Sequence, residues 1–204
     1  MPYIIAVAAP IGGGKTAVTR AIAARLPGAA TISFDHYETA TGQPVQSLQG
    51  WLSRGADFEE FVVPALREDL ERLRRGEPVR DPATGAEISP GRYLVFENPL
   101  GREAGSLAGL IDLLIWVDVP PDVALARKLQ ELVRGFQGRA GRERQAEPLL
   151  WLDRYLESYL TIVREVLRIQ AERVAARADL VLSGLPDPDE IAREAAAEIL
   201  RRFP

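Results

Sequence analysis

The sequence predicts an α/β domain built on a doubly wound, mainly parallel five-stranded sheet, and three observations carry that prediction. Five short apolar runs, at residues 3–8, 30–34, 92–96, 112–117 and 178–182, have the length and branched side chains of buried strands. Stretches of helical periodicity separate them, the alternation that gives parallel sheets covered on both faces. Three of the runs lead straight into an acidic residue, Asp35, Glu97 or Asp118. The carboxyl ends of parallel strands are where such folds place ligand chemistry.

The first run opens the most informative stretch, YIIAVAAPIGGGKTAVTRAIAARL. A strand is followed by a glycine-rich turn, then by a helix with Val18, Ile22 and Leu26 four apart. Gly14-Lys15-Thr16 closes a phosphate-binding loop of the form GxxxxGK[ST]. Gly12, Gly13 and Gly14 let successive backbone N–H groups converge on one anion, and the helix start at Thr16 and Ala17 adds partial positive charge. Lys15 is one of two lysines in a chain rich in arginine. A compact ammonium there suits the β- and γ-phosphates, and the Thr16 hydroxyl suits Mg²⁺. Ala9 stands at the first glycine of the motif, a change that costs little where φ is negative.

Composition narrows the class. At 204 residues the chain is read as one domain, 1–204, with 47% hydrophobic and 26% charged residues. A net charge of −4 and a pI near 5.2 argue against a nucleic-acid partner. No cysteine is present, which rules out disulfides and thiolate metal sites. No run of 18 apolar residues and no signal-peptide pattern is found, so the expectation is a cytoplasmic protein without a membrane partner. A homo-oligomer stays open.

Further along, residues 39–56 are polar and glycine-containing, and read as a long irregular segment holding Trp51. Pro64 opens a helix with Leu66, Leu70 and Leu73 on one face and Gly76 as its stop. Residues 78–91 read as a small hairpin turning near Pro82 to Gly85. A helix from Pro121 to about Arg134 precedes a glycine-rich segment, 135–147, with Arg139, Arg142 and Arg144. That segment suits a lid whose guanidinium groups close over phosphates, with a solvated loop as the alternative. Residues 149–177 form a long amphipathic helical stretch. The last helix carries acids at its start and Arg201 and Arg202 at its end, as the helix dipole favours.

With these elements placed, the chain resembles the uridine kinase branch of the P-loop kinases over most of its length. IAVAAPIGGGKTAV is similar to that family's P-loop strand and helix. ISFDHYE resembles its second-strand motif, whose aspartate acts as base toward the accepting hydroxyl, so the resemblance implies that role for Asp35. YLVFEN resembles the strand that ends in a Mg²⁺- and substrate-binding glutamate, here Glu97. WVDVPPDVALARK is similar to a stretch with paired basic residues, here Arg127 and Lys128, and implies that Arg127 neutralises charge on the transferring group. The departures fall on the acceptor side: Arg80 replaces a tyrosine, no histidine follows in the hairpin, and Asn98 replaces a glycine. Glu131-Leu132 stand for Arg-Asp, and the Pro-Met-His near Arg164 is missing.

The resemblance implies a kinase that uses ATP and Mg²⁺ to phosphorylate a hydroxyl of a small molecule, with segments 38–58 and 78–91 forming the acceptor pocket. A nucleoside is the first acceptor expected, and Arg80 turns that expectation toward a more anionic one. A sugar, a glycerate-like acid or a pantothenate-like precursor is the alternative, as is a P-loop ATPase or nucleotide-binding regulator.

Overall fold

The computed structural model describes residues 1–37, 45–61, 63–139 and 146–204. In chain order the elements are β1 (Tyr3–Ala8), α1 (Lys15–Ala23), β2 (Ala29–Ile32), α2 (Val45–Ser53), α3 (Pro64–Arg74), β3 (Val79–Arg80) and β4 (Glu87–Ile88). They continue with β5 (Tyr93–Glu97), α4 (Gly105–Ala108), β6 (Leu113–Asp118), α5 (Pro121–Arg139), α6 (Ala146–Ser158), α7 (Arg164–Ala176), β7 (Leu180–Ser183) and α8 (Pro188–Arg202).

Five strands pair in the order β2-β5-β1-β6-β7, and every pairing between them is parallel. β1 is central, with Ile5 opposite Val95 on one side and Leu113 on the other. Side chains alternate across a strand, so β1 feeds two cores. Ile5 and Val7 pack with Val18 and Ile22 of α1 and Ile199 of α8. Ile4 and Ala6 pack with Leu66, Leu70 and Leu73 of α3 and with Trp116. Both faces are covered, which is why the strands read as unbroken apolar runs. The expected hairpin is a separate antiparallel pair, Val79 opposite Ile88.

Three boundaries differ from the sequence expectations. Phe34 leaves the second strand and enters a 3₁₀ turn, Phe34–His36, which holds Asp35 just beyond the end of β2. The irregular segment contains helix α2, because Trp51 buries itself against Phe58 and Phe61 and that packing overrides the local glycine signal. α5 does not stop near Arg134 but runs through Gly135 to Arg139, a glycine in a helix interior costing only about 1 kcal/mol. The part of the expected lid with Arg142 and Arg144 lies outside the described residues, as do residues 38–44 of the acceptor segment. The long helical stretch is α6 and α7 joined by a π-helical turn, Tyr159–Val163. Among the described residues no helix is long and apolar enough to cross a membrane.

Candidate active site

The loop between β1 and α1 lies at the carboxyl end of the central strand. Gly12 has φ +78°, and a Cβ there would come within 2.0 Å of the Ala124 carbonyl oxygen, so the first turn of α5 presses directly on the loop. A Cβ at Gly13 would lie 2.8 Å from the Ala9 Cβ. Ala9 is fully buried and is not among the residues of positive φ. The alanine is accommodated, and the requirement for a bare backbone falls on Gly13.

Lys15 folds back over the loop, its Nζ donating to the Ala9 carbonyl at 3.1 Å and the Pro10 carbonyl at 3.4 Å. Burial pulls its pKa below the ordinary lysine value, opposed by the carboxylates of Glu97 and Asp35. Both acids therefore lie close enough to act on the ammonium. Gln170 of α7, itself buried, donates to the Pro99 carbonyl at 2.5 Å and reaches the same Ala9 carbonyl at 3.5 Å.

Glu97 ends β5 and is 5% exposed. Its two oxygens accept from Thr16 Oγ1 at 2.6 Å and Ser33 Oγ at 2.9 Å. A carboxylate and a hydroxyl in contact, next to a phosphate loop, form the hard oxygen donor set that Mg²⁺ takes alongside phosphate oxygens. The residues fit the ion. Asn98, where a glycine was expected, is fully buried and closes a turn, donating to the Gly101 carbonyl and accepting from Leu100 N–H.

Asp35 is exposed, and no hydrogen bond among the described residues engages its carboxylate. The two residues after it are tied down. His36 Nδ1 lies 2.6 Å from Asp81 Oδ2 in the hairpin, and the Tyr37 hydroxyl donates to Asp69 Oδ2 of α3 at 2.8 Å. Burial and then the Asp69 hydrogen bond raise the Tyr37 pKa, so the hydroxyl stays protonated.

Arg127 stands apart from this group. It donates to the Gly184 carbonyl at 2.9 Å and lines a cleft of about 380 Å³ between Gly13, Gly14 and the loop from Gly184 to Pro188. Lys128 pairs with Glu131 at 2.8 Å. Arg80 is turned outward. It lies on the exposed face of β3 and donates to the Gly85 carbonyl of its own hairpin at 3.3 Å, because the strand alternation that buries Val79 turns Arg80 outward.

The fold thus gathers Gly12, Gly13, Gly14, Lys15, Thr16, Glu97 and Asp35 at one edge of the sheet, with Ala17 exposed at the start of α1 and Arg127 across the loop. Ser33, Gln170 and the His36–Asp81 pair join the site without being among its expected residues. Ser33 carried a signal, standing two residues before Asp35 at a strand end. Gln170, in the middle of a helix, carried none.

A phosphate loop on the central strand of a parallel sheet, facing a strand-end glutamate and an exposed aspartate, defines the class as the P-loop kinases. No protein-family model matches the chain. Within the class the chain is similar to the uridine kinases: to that of Streptococcus uberis, 25% identical over 210 residues, 98% of this chain and 92% of the relative. It is also 26% identical over 192 residues to the uridine kinase of Streptococcus gordonii, covering 89% and 86% of the two chains. The fold is shared with a solved structure described as a "Possible Uridine Kinase" from Bacillus stearothermophilus, at a TM-score of 0.53 and 13% identity over 89% of each chain. A structure assigned to a fructose transport system kinase from Silicibacter sp. TM1040 shares it too, at 0.52 and 18% over 88% and 89%.

Proposed function

We propose that this P-loop kinase moves the γ-phosphoryl group of ATP to a hydroxyl of a small metabolite, with a nucleoside as the first acceptor to test. The observation that carries the reading is Asp35, an exposed carboxylate whose charge acts on Lys15 together with that of Glu97, the partner of Thr16. A base beside the phosphate-loop lysine can take the acceptor's proton. The loop backbone at Gly12, Gly13 and Gly14, the Ala17 N–H and the Lys15 ammonium bind the phosphates. Thr16 and Glu97 hold Mg²⁺, which neutralises phosphate charge when bound. Arg127, on the wall of the cleft with Gly184, contacts the nucleotide beside the loop.

A second reading, a sugar or another hydroxylated metabolite, is favoured by the acceptor side. Arg80 turns outward and Asn98 is spent on its own turn, so neither addresses a pyrimidine. The test is ADP release from ATP and Mg²⁺ with uridine, cytidine, ribose, fructose, glycerate and pantothenate in turn. Stimulation by a nucleoside supports the first reading, and stimulation by another member supports the second. ATP turnover indifferent to all of them points to an ATPase or regulator.

A further inference from the structure

The acceptor side holds a polar atom that the phosphate chemistry does not use. His36 is the sole histidine of the chain and follows Asp35 directly in the 3₁₀ turn. Its partner Asp81 is strongly engaged: Oδ2 meets His36 Nδ1 at 2.6 Å, and Oδ1 accepts from the N–H groups of Ala83 at 3.0 Å and Thr84 at 2.8 Å. Burial works against the Asp81 carboxylate, but the His36 contact and these two N–H groups outweigh it and hold its pKa below the ordinary value. The carboxylate is then an acceptor only, so the ring nitrogen facing it carries the hydrogen.

That assignment leaves Nε2. Among the described residues it has no partner, and the side chain is 34% exposed. The neighbouring polar groups of the turn and hairpin have partners of their own, Tyr37 with Asp69 and Arg80 with Gly85. Asp35 and His36 are consecutive residues of the 3₁₀ turn that follows β2, so both side chains leave one short stretch of backbone. The first is a carboxylate that no hydrogen bond among the described residues engages. The second is an imidazole whose orientation the hairpin fixes.

The geometry points to His36 as the residue that reads the acceptor, Nε2 hydrogen-bonding a second hydroxyl close to the one that Asp35 deprotonates. The acceptor class is then a diol or polyol, such as a ribonucleoside or a sugar, and not a molecule with a single hydroxyl. Asp81 is a positioning residue, acting through the imidazole. The inference rests on the phosphoryl-transfer reading and on Asp35 as its base.

The test uses the whole chain with ATP and Mg²⁺ and three probes, uridine, ribose and fructose. A single histidine gives one pair of imidazole ¹⁵N signals, so the contact is observable without substitution. With a non-hydrolysable ATP analogue bound, the probe that best stimulates ADP release should shift the Nε2 signal on titration. His36→Ala should raise KM for that probe about 5–10-fold, the worth of one hydrogen bond, with a smaller change in kcat and no change in KM for ATP. His36→Gln should recover part of the loss, and Asp81→Asn should fall between. An Nε2 signal unmoved at saturating probe, or an unchanged acceptor KM in a folded His36→Ala protein, overturns the role of His36 and leaves the kinase reading standing. ADP release stimulated by glycolate, which has a single hydroxyl, and by none of the three probes overturns the polyol class and leaves the kinase reading standing.

Discussion

Lys15 and Gln170 meet at one atom, the carbonyl oxygen of Ala9, which accepts from Nζ at 3.1 Å and from Nε2 at 3.5 Å. The phosphate lysine is thus parked on a carbonyl that α7 also holds, 161 residues along the chain from Ala9. Removing each side chain should therefore have a different signature. Lys15→Ala removes a charge from the phosphate site and should lower kcat by about 10²-fold or more, with Tm little changed, because Lys15 reaches the loop and not the core. Gln170→Leu leaves the Pro99 carbonyl without its short hydrogen bond and should cost about 1–3 kcal/mol of stability, with a smaller loss of ATP affinity. Thermal melts and ATP titrations of the two variants check the contrast. Undiminished ATP turnover in folded Lys15→Ala protein would overturn the phosphate-site assignment.

Asp35→Asn keeps size and polarity but gives up the basic oxygen. Since no hydrogen bond among the described residues engages the carboxylate, the fold should not change. The expected loss is about 10²–10⁴-fold in kcat, the worth of a positioned base, with ATP affinity nearly constant. Single-turnover rates and ATP binding, measured on one preparation, separate the two quantities. If ATP affinity collapses while kcat holds, Asp35 belongs to the nucleotide and the base lies elsewhere.

Much of this fold was legible because its strands are buried on both faces. A run such as LLIWV has only one comfortable place in a soluble domain, and glycines before a lysine have few uses other than an anion. The phosphate side of the site was readable for the same reason, since Gly12 to Thr16 is local and its chemistry is dictated by residue type. The acceptor side was not. Its relationships join residues 45 positions apart at His36–Asp81 and 32 apart at Tyr37–Asp69, and no periodicity records such pairs. Arg80, aligned with an aromatic position, shows the same limit: its outward direction is set by the alternation of a two-residue strand, too short to leave a pattern. The helix at Val45–Ser53 was hidden because it owes its stability to Trp51 packing on Phe58 and Phe61, a tertiary effect.

The strands also depend on polar ties at their amino-terminal ends. Asp179 accepts from the Leu114 N–H at 2.7 Å and pairs with Arg102 at 2.6 Å, joining the approach to β7 to β6. Burial disfavours its carboxylate, but these two partners outweigh that and hold the folded pKa below the ordinary 3.8. The sign follows: stability from this group is present above the unfolded pKa and is lost as pH falls through the lower folded value. Asp179→Asn should therefore lower Tm at pH 7 and flatten the dependence of Tm on pH below about pH 4. Melts of wild type and variant between pH 3 and pH 7 decide it. Parallel curves over that range would show that Asp179 contributes no charge-dependent stability.

The alanine in the phosphate loop gives the last prediction. Ala9 occupies, without positive φ, a position the motif gives to glycine, and its Cβ lies 2.8 Å from where a Gly13 Cβ would sit. That same Cβ would also lie 2.8 Å from the Pro10 carbonyl oxygen. Gly13→Ala therefore meets two obstacles, and the second is backbone. Overpacking of this kind costs about 1–3 kcal/mol, and here the displaced atoms belong to the turn whose N–H groups would receive phosphate. ATP affinity should fall at least tenfold. Ala9→Gly removes one obstacle and leaves the other, so the double variant should regain only part of the lost affinity, while Ala9→Gly alone should bind ATP within a few-fold of wild type. ATP titrations across this cycle measure the coupling between the two positions. Strict additivity would show that Ala9 and Gly13 do not compete for the same space, and the accommodation of alanine at the head of the loop would then need another cause.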